Sequence, residues 1–294
     1  MPPAPRTVFI LVDGLGVGGS NPDVNPVYSG VCPNLLNLLT CHAGSLDAGL
    51  GVAGIPQSAT GQTALLTGVN AARHMGRHVS GFPGPSLRKI IRENNIYDKL
   101  AHRGYSSTFA NAYYVSDVNE VAGRKIQSVT TVAALKAFGG VRDQALMEQG
   151  RAVYQDLTRA SLRARGYEGP LQTPAQSAQA LVAIAREHDF TLFEYFQTDR
   201  AGHKGTWAEL QRILGLFDEF LADLLPFTRE EGVLFVLTSD HGNIEQFGAR
   251  SHSMNPVPLV ATGPGSDFLK KTAFSLTDVT PALLELYPCK NSSQ

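Results

Sequence analysis

Cysteine is scarce in this chain: three residues (Cys32, Cys41, Cys289) among 294, none in a CxxC spacing. That excludes a disulfide framework and a thiolate metal cage. Charge is sparse as well, at 17% of residues with a net charge of -1, and no basic block occurs. No electrostatic footprint for nucleic acid follows, so any anion binding must be local. No apolar run reaches the roughly 20 residues that a membrane span needs. The opening MPPAPRTVFILVDG has too short an apolar run for a signal peptide, and an Asp ends it. The expectation is a cytoplasmic protein without membrane association.

What is present is apolar: 43% of residues, enough to bury a sizeable core in one large domain. Thr7 to Val12 (TVFILV) and Val233 to Leu237 (VLFVL) read as buried strands. Thr191 to Phe196 reads the same way despite Glu194, and Pro258 to Thr262 reads as a weaker strand near an edge. Helical patterns lie between them, over 87–101, 175–187, 207–225 and 278–286, with Thr173 as cap and Pro174 at the first helical position. Strands alternating with helices predict an α/β fold with a largely parallel sheet covered on both faces. Residues 112–170 lack a strong strand, and their helices (129–138 and 143–164) are Ala- and Arg-rich. That stretch reads as an inserted lid or cap on a single domain spanning 1–294.

The chemistry-bearing residues gather where strands end. Asp13 closes the first strand, at the carboxyl edge where open α/β sheets bind ligands. Gly14, Gly16 and Gly19 match G-x-G-x-x-G, but the following SNPDVNP breaks helices and no acid stands about 20 residues on, which argues against a dinucleotide site. Asp199 and His203 have four-residue spacing and converge on one ion if the segment is helical. Asp240 and His241 end another buried strand, and His252 follows eleven residues later in a polar loop. Carboxylate and imidazole suit zinc or manganese, with magnesium as a third option. Thr63, in GQTALLTG, offers a hydroxyl near a helix start, where free N–H groups favour an anion or an alkoxide. Capping by Thr63, Thr60 or Ser58 is the plain alternative reading.

In this order, VDGLG, IPQSATGQTALLTG, TDRAGHKG, LTSDHGNIE and RSHSMNPVPLV resemble the alkaline phosphatase superfamily, nearest its cofactor-independent phosphoglycerate mutase and phosphopentomutase branch. The resemblance covers the first 80 residues and about 190–288. It implies a three-layer α/β/α sandwich with a doubly wound, mostly parallel sheet and a small helical insertion. It implies two divalent metal ions, one held by Asp199, His203 and His252, the other by Asp13, Asp240 and His241. It implies Thr63 as a metal-bound nucleophile, since PQSATGQT lines up with the mutases' PEGQMGNS, and so a phospho-threonine intermediate. His78 and Arg77 are the basic residues expected at substrate phosphate, ahead of Arg73, His74 and Lys204. Mutases shield their intermediate with a large inserted domain. Only about 110 residues here separate the nucleophile helix from the strand before Asp199. The expectation is therefore a phosphohydrolase acting on a small mono- or diester. A reduced phosphomutase is the alternative, followed by a non-catalytic metal-binding module.

Overall fold

The computed structural model describes residues 3–290. Six strands form one sheet: β1 (Thr7–Val12), β2 (Ala43–Leu46), β3 (Ser107–Phe109), β4 (Phe190–Tyr195), β5 (Leu234–Thr238) and β6 (Val257–Thr262). Their order is β2-β6-β5-β1-β4-β3. β1 pairs in parallel with both β4 and β5, and β3 pairs in parallel with β4. Only β6 runs the other way, antiparallel to β5 and β2.

The buried run TVFILV explains why β1 sits centrally, because alternate side chains feed different cores. Phe9 and Leu11 join one apolar cluster, with Leu65, Leu66, Ile91, Val132 and Leu283. Val8, Ile10 and Val12 join the other, with Leu35, Leu181, Leu214 and Phe217. Helices Ser58–Thr67, Pro85–Asn94, Val129–Phe138 and Leu276–Glu285 therefore cover one face. Helices Pro33–Cys41, Pro174–Arg186 and Trp207–Glu230 cover the other. The result is a three-layer α/β/α sandwich with a mostly parallel sheet, as the sequence implies.

Several details differ from the sequence reading. The helix expected over 87–101 is two, Pro85–Asn94 and Ile96–His102, because Asn95 caps both. Its side chain accepts from Asp98 N and donates to the Ile91 carbonyl. The helix expected over 143–164 is a short one, Gln144–Glu148, and a 3-10 turn, Ala160–Arg165. Pro226 lies inside Trp207–Glu230 without ending it. β6 does lie near an edge, beside the outermost strand β2, with Pro258 opposite Ser45. Within 112–170, helix Val129–Phe138 belongs to the main core, whereas Ala112, Met147, Ala152, Tyr154, Leu162 and Tyr167 form a separate small cluster. Among the described residues no helix is long and apolar enough to cross a membrane.

Candidate metal centre

Because β1, β4 and β5 are neighbours with a common direction, their carboxyl ends open side by side. Asp13 directly follows β1, and Asp240 comes two residues after β5. Asp199 stands in the first turn of helix Gln197–Lys204, just beyond β4, and His203 lies one turn further along it. Gly14, at φ 75°, has no room for a Cβ, which would stand 2.9 Å from Asp199 Cβ. A Cβ on Gly16 would likewise meet the Glu245 carboxylate at 2.2 Å. The glycines of the false dinucleotide motif thus let the strand-end loops close on one another.

Two ligand groups result. Asp13, Asp240 and His241 offer atoms that all lie within 4.8 Å of one another, and so do Asp199, His241 and His252. His241 Nε2 is 3.2 Å from Asp13 Oδ1 and 3.7 Å from Asp240 Oδ2. His203 Nε2 and His252 Nε2 each lie 3.3 Å from Asp199 Oδ1, and 3.1 Å from one another. The rings of His241 and His252 stack at 3.6 Å. All six residues named at the strand ends therefore converge in one place.

These side chains suit divalent cations. Asp13 Oδ1 and Asp240 Oδ2 are buried without a hydrogen-bond partner, a costly arrangement for carboxylates that no cation neutralises. Each histidine also has a backbone carbonyl at Nδ1: Pro56 O at 2.8 Å for His252, Arg250 O at 3.2 Å for His203 and Gly242 O at 3.4 Å for His241. A carbonyl only accepts, so Nδ1 carries a proton and Nε2 is the nitrogen turned toward the carboxylates, the one that would meet a cation after losing its own proton. Burial, reinforced by Asp240, pushes the Asp13 carboxyl well above its ordinary range. Burial opposes charge on His241, but Asp240 and Asp13 outweigh it and raise the imidazole to about 10. Asp199 is also desolvated, yet hydrogen bonding from His252 and the charge of His241 hold it at about 2.

The hydroxyl beside these groups is Ser58, not Thr63. Helix Ser58–Thr67 starts earlier than the sequence suggests, so Ser58 is its first residue. Ser58 Oγ is 2.9 Å from His241 Nε2. Thr63 is fully buried mid-helix, and its hydroxyl donates to the Ala59 carbonyl at 2.6 Å. Five residues of helix rotate it roughly 140° from Ser58. The structure thus brings Ser58 of this helix, rather than Thr63, to the Asp and His groups. His78 and Arg77 do not line the cavities that hold the Asp and His groups. Both line an adjoining open cavity that shares Ile55, Gln57 and Ser80 with the one at Asp199, His203 and His252, and His78 Nε2 contacts the Val52 carbonyl at 3.2 Å.

Four residues at the site were not singled out from sequence. Asn243 Nδ2 donates to Asp199 Oδ1 at 2.6 Å. Glu245 accepts from the backbone of Gly16 and Asn243, tying the loop after β1 to the loop after β5. Gln62, one turn from Ser58, links Asp13 Oδ2 (3.4 Å) to Glu194 Oε1 (3.1 Å). Burial raises Glu194 to about 7, against a hydrogen bond from Thr130. Glu245 and Asn243 stand in the quoted motif LTSDHGNIE, where their nearness to Asp240 was the available signal.

A family model described as "Metalloenzyme superfamily" matches residues 5–291. The chain belongs to the metalloenzyme superfamily. It is similar to the 2,3-bisphosphoglycerate-independent phosphoglycerate mutases of Acetivibrio thermocellus, 30% identical over 108 residues, and of Natronomonas pharaonis, 32% identical over 127 residues. Those matches cover 34% and 38% of this chain, and only 21% and 25% of the relatives. Among solved structures, alkaline phosphatase from the Antarctic bacterium TAB5 superposes with a TM-score of 0.56 at 13% identity, over 97% of this chain and 98% of its own. The PH0037 protein of Pyrococcus horikoshii superposes with a TM-score of 0.61 at 16% identity, over the full length of both. The fold is that of the alkaline phosphatase superfamily.

Proposed function

We propose that this superfamily member is a phosphohydrolase that cleaves a phosphate ester through a phosphoserine at Ser58. The observation that carries the reading is the position of Ser58 Oγ, at a helix N-terminus and 2.9 Å from the histidine common to both ligand groups. Asp13, Asp240 and His241 would hold one cation, and Asp199, His203 and His252 the other. When bound, the two ions would favour ionisation of the serine hydroxyl and neutralise charge on the transferring group. The donor set of carboxylates and imidazoles suits zinc or manganese.

The protein's own part is positioning. No side chain caps helix Ser58–Thr67, so its first N–H groups are free to meet phosphoryl oxygens. Ser58 Oγ attacks phosphorus, the ester oxygen departs as the alcohol, and water then releases phosphate and restores Ser58. Gln62 holds Asp13 in place from the same helix face, and Asn243 does so for Asp199.

The segment between the nucleophile helix and β4 supports hydrolysis over internal transfer, because β3 and helix Val129–Phe138 use part of it for the main body. The names of the curated relatives favour the second reading, a mutase that returns phosphate to another hydroxyl. Ser58→Ala should cut turnover of p-nitrophenyl phosphate or its bis ester by about 10³-fold or more at unchanged metal content. Thr63→Ala should stay within a few-fold of wild type. An active Ser58→Ala enzyme would falsify the nucleophile. Phosphate retained on a second sugar hydroxyl, with none released, would favour the mutase.

A further inference from the structure

We infer that the leaving group of the substrate carries a ring of aryl or nucleoside size, seated between Phe82 and Ile126 at the mouth of the catalytic cavity. This rests on the phosphoryl-transfer reading of the floor. The cavity measures about 570 Å³ and has Ser58, Asp13 and Asp199 in its lining. Far more space is present than a phosphoryl group fills, and it is the scale of a pocket for a drug-sized ligand. Phe82 and Ile126 line the same cavity, yet are 56% and 61% exposed. Single exposed apolar side chains need no explanation, but two on separate segments around one catalytic cavity make an apolar rim. Gly81, next to Phe82, lines both this cavity and the one at Asp199, His203 and His252. The rim and the floor are therefore continuous. Tyr113 continues the wall inward, with its hydroxyl already held by Thr131 at 2.6 Å, so the orientation of the ring is fixed. Arg124 also lines the cavity and has no ion pair or side-chain hydrogen bond among the described residues. Its planar guanidinium can stack on a ring or meet a second anionic group. A three-carbon polar acid such as glycerate would leave the rim uncovered and most of the volume unfilled.

The test is equilibrium binding to manganese-loaded Ser58→Ala protein, which needs no turnover. The probes are 1-naphthyl phosphate, glycerol 2-phosphate and inorganic phosphate. The naphthyl ester should bind at least about tenfold more tightly than the glycerol ester, within the range of stacking on an aromatic side chain. Phe82→Ala and Ile126→Ala, each added to that background, should lower the ratio of the two affinities several-fold. Equal affinities, or a ratio that neither substitution moves, overturn the ring seat. If phosphate binds while the ring adds nothing, the seat is wrong and the phosphoryl site stands. If the naphthyl ester binds through the rim while phosphate does not bind, the seat stands and the phosphoryl site is wrong.

Discussion

Asp13, Glu194 and His241 all hold protons more tightly in the folded, metal-free chain than they do unfolded. The two acids therefore cost stability as pH rises above their ordinary values of 3.8 and 4.5, Glu194 up to about 7. His241 contributes stability that is complete below 6.5 and lost as pH rises toward about 10. Asp199, depressed to about 2, acts only below its ordinary value and stays outside that window. Chelator-treated protein should thus melt at a falling temperature between pH 5 and 9, and Glu194→Gln should flatten the part below pH 7 by about 1–3 kcal/mol. Metal binding needs deprotonated ligands, so the gain from added zinc or manganese should grow with pH over the same interval. Scanning calorimetry with and without metal checks both slopes. A chelated protein whose stability rises toward pH 9 would contradict these residue environments. At this scale the ligands were legible because Asp13, Asp199 and Asp240 each stand beside a strand-like run. Ser58 was not, since Ser58, Thr60 and Thr63 are chemically alike and only the true start of the helix separates them.

Among the elements, helix Ser58–Thr67 is pressed hardest against the site. A Cβ at Gly61 would lie 2.6 Å from the Asp240 carbonyl oxygen, a backbone atom that no side-chain rotation can move. Gly61→Ala should destabilise the fold by about 2 kcal/mol or more through overpacking, and weaken metal binding because Asp240 is displaced. Chemical denaturation and metal titration of that variant measure the two effects. Unchanged metal affinity would show that the helix and the end of β5 are not coupled. The long buried runs of β1, β4 and β5 announced themselves by composition. β2 and β3 did not: AGSL buries one residue of four, and STF is three residues long. Such strands take their conformation from the partner they pair with, here β6 and β4, rather than from their own pattern.

The whole molecule joins two halves of its candidate ligand set from opposite ends of the chain, Asp13 with Asp240 and His241, through the pairing of β1 with β5. β1 with β4 brings Asp199 to the same edge. The three-layer architecture is therefore a device for placing strand ends together, and strand alternation in the sequence implied it. The stretch 112–170 is different. Its small cluster around Met147 and Tyr167 has no periodic pattern to betray it, and its contribution to the cavity comes from irregular loop residues such as Ile126 and Arg124. The central claim is that phosphate passes through Ser58. The most direct test is acid quenching of the metal-loaded enzyme during turnover of an aryl phosphate, followed by mass-spectrometric mapping of the peptide spanning 56–73. The account predicts one phosphate, on Ser58, absent from Ser58→Ala. A phosphate on Thr63, or turnover with Ser58 never modified, would contradict it.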